Sequence, residues 1–182
     1  METATLLDRP TATTDRELKS HAFETPLGGM IAIASDEALL LLEFNERRAL
    51  EAGLERVASQ GNVSPGRNAI TDQIERELGE YFAGERQVFE TPIELGGTAF
   101  QQEVWRALMM IPYGETWSYR ELAQFVGKPT GSRAVAGANG ANQLAIIVPC
   151  HRVIGADGSL SGYAGGVERK QRLLEIERAM LL

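Results

Sequence analysis

A pair of glycines, Gly96-Gly97, divides the 182-residue chain into two parts with different hydrophobic patterns. Before it, short apolar runs lie between turn residues; after it, apolar residues recur mainly at helical spacing. A chain of this length can bury one large core or two small ones. The break therefore predicts a domain of residues 1–97 followed by one of residues 98–182. The fold class expected is α/β (α+β), with a mixed first domain and a mostly helical second.

Residues 1–20 show no periodicity and read as a loose tail. Pro26-Leu27-Gly28-Gly29 is a turn signal, and Met30–Ala34 and Leu39–Phe44 on either side of Ser35-Asp36-Glu37 read as a hairpin. Helices are predicted over Arg47–Ser59 and Ile70–Phe82, with a loop over Gly61–Gly66 and a further strand over Val88–Leu95. In the second half a helix is expected over Phe100–Ile111, stopped by Pro112-Tyr113-Gly114. Ser118-Tyr119-Arg120-Glu121 is a capping box that opens a helix to about Val126. Thr130 or Ser132 can cap a second short helix, Arg133–Asn139, and the two form a helix-turn-helix candidate. That second helix is rich in small residues (Ala134, Ala136, Gly137, Ala138, Gly140), with Arg133 its one charge. Small side chains permit close approach to another surface but little base-specific readout. Leu144–Val148 reads as a buried strand, and Glu168–Leu181 as a C-terminal helix.

The chain contains one cysteine and two histidines, so an internal disulfide and a Cys-rich zinc site are both excluded. No metal is expected. No apolar run approaches the roughly 20 residues that span a bilayer, and the first residues lack a signal-peptide pattern; a soluble cytoplasmic protein is expected. The net charge of −7 argues against nucleic acid on average, but the charge is unevenly spread. Residues 1–97 carry −9, residues 98–182 carry +2, and residues 118–172 carry +4. One part of the chain could therefore face phosphates.

Cys150 is either a small buried hydrophobe or a reactive thiol. Its neighbours favour the second reading. A thiol is mostly protonated at neutral pH, and His151 beside it can take the proton directly or through a water. The imidazole then needs a group to orient it. Glu177 follows Leu173 by four residues and Leu174 by three, which puts it on the apolar stripe of the C-terminal helix. It pairs there with His151, or at the stripe edge with Arg178 and solvent. Taken singly, Tyr119 suits a half-buried core position and Arg133 a surface charge. Trp105, Trp117 and the methionines need no role beyond packing, and His21 reads as a surface residue.

Pro149-Cys150-His151-Arg152-Val153 resembles the active-site motif of the O6-alkylguanine-DNA alkyltransferases, the methylated-DNA–protein-cysteine methyltransferases. The resemblance runs from Phe100 to about Glu177. It includes the tyrosine-containing capping box, the Ser132–Gly137 segment, the Asn142 stretch and Gly162-Tyr163-Ala164-Gly165-Gly166. It implies a ribonuclease-H-like first domain and a winged-helix-like second domain. It further implies single-turnover transfer of an alkyl group from O6-alkylguanine, and from O4-alkylthymine, to Cys150, with the damaged nucleotide flipped out. In that scheme His151 and Glu177 form a proton relay, Asn142 braces the turn around the cysteine, and Tyr119 donates to guanine N3. Arg133 fills the gap in the base stack, and Ser132, Ala134, Ala138 and Gly140 lie along the DNA. Val153, Tyr163, Ala164 and Ser161 form the pocket; many relatives carry Ser where Ala164 stands. The implied partner is double-stranded DNA containing O6-alkylguanine, bound through the minor groove by a monomer whose cooperativity on DNA is left open. No cofactor is implied, because the DNA is the alkyl donor. The zinc ligands found in some family members are missing. Two other readings fit a Cys-His protein on less evidence: a lesion binder that transfers nothing, and a thiol hydrolase that turns over.

Overall fold

The computed structural model describes residues 15–46, 50–160 and 162–179. Strands β2 (Gly28–Ala34) and β3 (Leu39–Phe44) form the expected hairpin, paired antiparallel from Met30↔Phe44 to Ala34↔Leu39. All six residues of β3 are buried, which accounts for its unbroken leucine run: a strand covered on both faces has no polar side to alternate with. Helix α1 (Leu50–Ala58) places Leu50, Leu54 and Val57 in a cluster with Ile31, Ile33, Leu41 and Val63. Helix α2 (Ala69–Phe82) is opened by a reciprocal Asn68/Thr71 capping box and buries Ile70, Ile74, Leu78 and Tyr81.

The loose-tail reading fails for residues 17–20; residues 1–14 lie outside the described set. Glu17–Thr25 is strand β1, antiparallel to β2 and parallel to β4 (Asn62–Pro65), giving the sheet order β3-β2-β1-β4. Both unanticipated strands carry weak local signals. β1 buries Leu18 and Phe23 but also Ser20, so its apolar residues do not alternate, and β4 has one buried residue, Val63. Their pairing is set by partners far along the chain. His21 lies in β1, with Nε2 2.9 Å from Glu75 Oε2 and only 15% of its side chain exposed, so it is not a free surface residue.

The strand expected over Val88–Leu95 is absent. Its backbone N–H groups at Glu90 and Thr91 donate to the buried Glu77 carboxylate, at 3.1 and 3.2 Å. Pro92 has no N–H to give. What remains is a single bridge, Leu39↔Ile93, with Leu39 N donating to Pro92 O at 2.8 Å. The chain separates into two compact units, residues 1–95 and 96–182.

The second unit begins with α3 (Ala99–Leu108), capped by Thr98 and Gln101, which ends three residues short of Ile111. The predicted Ser118/Glu121 capping box is present and opens α4 (Tyr119–Phe125). Neither Thr130 nor Ser132 caps α5 (Ser132–Gly140); Gly131 stands at its N-cap with no side-chain hydrogen bond. Two-residue strands β5 (Trp117–Ser118) and β6 (Val153–Ile154) pair in parallel, and α6 spans Val167–Ala179. Residues 144–148 are not a strand. All but the half-buried Ile147 are buried as expected, but they form a series of turns, with Val148 N donating to Leu144 O at 2.9 Å and Ile146 at φ 72°. The apolar run signalled burial, and short buried runs do not distinguish a strand from a folded turn.

Candidate active site

Cys150 opens a single 3-10 turn, Cys150–Arg152, whose residues are all buried; Cys150 itself is 7% exposed. The preceding turns are held by Asn142. Its amide Nδ2 donates to Val148 O at 2.8 Å and to Cys150 Sγ at 3.2 Å, while its Oδ1 accepts from Leu144 N at 2.9 Å. One side chain thus fixes both ends of the 144–148 segment and touches the sulfur.

His151 is fully buried, and its Nε2 lies 2.7 Å from Glu177 Oε1. Arg152 clasps the same carboxylate in a fork, Nε to Oε2 and Nη2 to Oε1, both at 3.0 Å, and its Nη1 donates to Ile111 O at 2.8 Å. Burial alone would raise the Glu177 carboxyl, but the hydrogen bonds and charge from His151 and Arg152 outweigh it and hold its pKa at about 2. Burial also pulls His151 below its ordinary value, against the opposing pull of Glu177. The imidazole is therefore neutral at neutral pH, and Arg152 supplies the countercharge to the carboxylate. An ionised carboxylate can only accept, so the single imidazole proton sits on Nε2. The lone pair is then on Nδ1, a buried atom with no hydrogen-bond partner among the described residues. This is a base held in one tautomer, in the residue that follows the thiol in sequence.

Tyr119 is the first residue of α4 and is partly exposed. Burial and then the Cys150 charge push its phenol above the ordinary range, so it remains a protonated donor at neutral pH. The backbone of Gly162, at φ +85°, packs so closely that a Cβ there would stand 2.7 Å from Tyr119 Oη. Val153 is fully buried and Tyr163 is 8% exposed, while Ala164 is exposed. Ser161 lies outside the described residues. On α5, Arg133 and Ala134 are exposed and Ser132 and Gly140 half-buried. Ala138 is a correction to the expected DNA-facing set: it is 4% exposed, and its carbonyl accepts from Trp105 Nε1 at 2.8 Å, so it faces the protein.

Known proteins resemble this chain over most of its length. A family model described as "6-O-methylguanine DNA methyltransferase, DNA binding domain" matches residues 99–179. The methylated-DNA–protein-cysteine methyltransferase of Mycobacterium leprae is 53% identical over 162 residues, covering 89% of this chain and 93% of that protein. The chain belongs to the methylated-DNA–protein-cysteine methyltransferase family. The solved structure of Mycobacterium tuberculosis OGT in complex with DNA matches with a TM-score of 0.78 at 41% identity, covering 90% of this chain and 94% of that one. The O6-methylguanine-DNA methyltransferase of Pyrococcus kodakaraensis matches with a TM-score of 0.62 at 25% identity, covering 88% of this chain and 98% of that one.

Two residues of this family member went unassigned in the sequence reading. Arg152 stood inside the Pro149–Val153 motif without a role. Lys170 was passed over although it is fully buried. Its signal was available: Lys170, Leu173, Leu174 and Glu177 follow helical spacing, and all four are buried on α6. Among the described residues no group of three His, Cys, Asp or Glu could hold a metal ion, and no helix is long and apolar enough to cross a membrane.

Proposed function

We propose that this protein repairs DNA by direct reversal, taking a methyl or larger alkyl group from O6-alkylguanine, and from O4-alkylthymine, onto Cys150. The observation that carries the proposal is the fully buried His151–Glu177 hydrogen bond of 2.7 Å, which leaves the basic imidazole nitrogen in the residue next to the only cysteine. His151, acting through one water, takes the thiol proton. The thiolate attacks the alkyl carbon; the C–S bond forms as the C–O6 bond breaks, and the electron pair leaves with the guanine. Tyr119 Oη donates to N3 of the departing base. Removing a donor of this type from other enzymes slows them by about 10²–10³-fold. Asn142 holds the turn and the sulfur in place.

The target base must leave the stack for its O6 substituent to meet a sulfur this buried. Exposed Arg133 at the start of α5 takes its place in the helix, and Ser132, Ala134 and Gly140 border the minor groove. Val153, Tyr163 and Ala164 form the base pocket. The product is a thioether, a bond stable in water, so each molecule acts once. The protein works as a cytoplasmic monomer on double-stranded DNA, with a ribonuclease-H-like domain to residue 97 and a winged-helix-like domain after it.

Intact-mass measurement after incubation with O6-methylguanine duplex tests this reading. A gain of one methyl on Cys150, saturating at one per molecule, is expected. Cys150→Ser should bind the duplex and gain nothing. An unchanged wild-type mass, or transfer to the serine variant, would overturn the assignment.

A further inference from the structure

Helix α5 buries a polar side chain, Asn139, which is 1% exposed. Its amide Nδ2 reaches Cys150 O at 3.5 Å. Its Oδ1 is also buried and has no hydrogen-bond partner among the described residues. An unpaired buried acceptor lowers stability, and a fold rarely keeps one without a reason. Satisfying the Cys150 carbonyl is not that reason. The same oxygen accepts from Val153 N, which closes the 3-10 turn, so it would keep a partner without Asn139. A leucine there, of nearly the same shape, would fill the space and leave no orphaned atom.

The reason lies in what the amide connects. Asn139 follows the exposed Arg133 by six residues on the same helix. Its neighbour Ala138 anchors that helix to α3, the Ala138 carbonyl accepting from Trp105 Nε1 at 2.8 Å. Asn139 anchors it to the nucleophile's own carbonyl. The N-terminal end of α5, where Arg133 stands, has no side-chain cap. Asn142 also holds the sulfur and Val148 O, but it lies beyond the end of α5. Asn139 therefore joins the helix itself to the residue that reacts. A separation of 3.5 Å is long for a hydrogen bond. Hydrogen bonds around a reacting centre are often long in the free protein and shorten once substrate is bound.

We infer that Asn139 is a positioning residue for alkyl transfer, its amide tying helix α5 to the carbonyl of Cys150 so that the sulfur stays in register with DNA held along that helix. The inference rests on the repair function proposed above and deepens it. Asn139→Leu keeps the bulk and Asn139→Ala removes it without a clash, so a fold lost in one variant leaves the other. Single-turnover methyl uptake from saturating O6-methylguanine duplex should slow about tenfold in both, because a misplacement of about 1 Å can slow a reaction about 10²-fold. The duplex Kd should not change, which separates positioning from binding. Iodoacetamide needs no register with DNA, and Cys150 is the only cysteine, so its uptake read by intact mass should keep the wild-type rate. At least one variant, Leu above all, should match or exceed the wild-type urea midpoint, since it removes the orphaned acceptor.

A wild-type transfer rate in either folded variant overturns the inference. A duplex Kd weakened as much as transfer is slowed overturns it too, since that would make Asn139 a DNA-binding residue. So does iodoacetamide uptake slowed in step with transfer, or a urea midpoint lowered in both variants, since these would mark a general distortion of the turn. Failure of the repair reading looks different: the wild-type protein itself would take no methyl from the duplex, and the inference would fall with that reading.

Discussion

Glu177→Gln keeps the size of the side chain and removes its charge from a site where two residues depend on it. The carboxylate accepts from His151 Nε2, Arg152 Nε and Arg152 Nη2, and its side chain is 1% exposed. An amide offers one oxygen and turns an NH2 group toward donors that need an acceptor, leaving the Arg152 guanidinium uncompensated at 8% exposure. Breaking a buried pair in this way costs about 3–5 kcal/mol. A second route gives a similar size. The carboxyl is held at about 2 in the folded protein, against an ordinary value of 4.5. That difference corresponds to about 3 kcal/mol of stability. Because the folded value is the lower one, this stability is fully present above pH 4.5 and is lost as the pH falls toward 2. Urea unfolding followed by tryptophan fluorescence reports it cleanly, since Trp105 and Trp117 both lie in the second unit. At pH 7 the variant should be less stable by about 3 kcal/mol, and the gap should narrow as both proteins are taken from pH 5 to pH 2.5. A gap under about 1 kcal/mol at pH 7, or one that persists at pH 2.5, would refute this account of the pair.

Three further outcomes are expected. His151, fully buried and held neutral, should titrate below its ordinary 6.5 and show a proton on Nε2 in nitrogen-resolved NMR; a midpoint at or above 6.5 would count against a neutral base. Since the unfolded chain takes up that proton first, stability should also decline as the pH drops below 6.5. Gly162→Ala adds about 1–2 kcal/mol of backbone strain at φ +85° and drives a methyl toward Tyr119 Oη, so methyl transfer should slow while affinity for undamaged DNA holds; wild-type transfer rates would show that Tyr119 does not depend on this contact. In the first unit, Glu77→Gln should cost about 2 kcal/mol and strip hydrogen-exchange protection from the Glu90 and Thr91 amides, and unchanged protection would show that the segment is held by other means.

Much of the chemistry was legible without coordinates. The single cysteine, the adjacent histidine and a glutamate on an apolar stripe are residue types whose meaning depends on few neighbours, and the His151–Glu177 pairing they suggest is present at 2.7 Å. The hairpin, both first-unit helices and the Ser118/Glu121 cap were readable for the same reason: periodicity and capping are encoded within one or two turns of chain. Strands β1 and β4 were missed because their order comes from each other and from β2, many residues away. The 144–148 segment was misread because burial alone does not select a backbone conformation, and Asn142 selects one through hydrogen bonds to Leu144 N and Val148 O.

Residue identity along the chain determined which groups could react: one thiol, one imidazole beside it, and a carboxylate seven residues beyond a lysine on the same face of a helix. The tertiary structure decided how they are charged. Folding removes water from His151, Lys170 and Glu177 at once, and in that dry setting the protonation of each depends on the distance and orientation of the others, which no local pattern encodes.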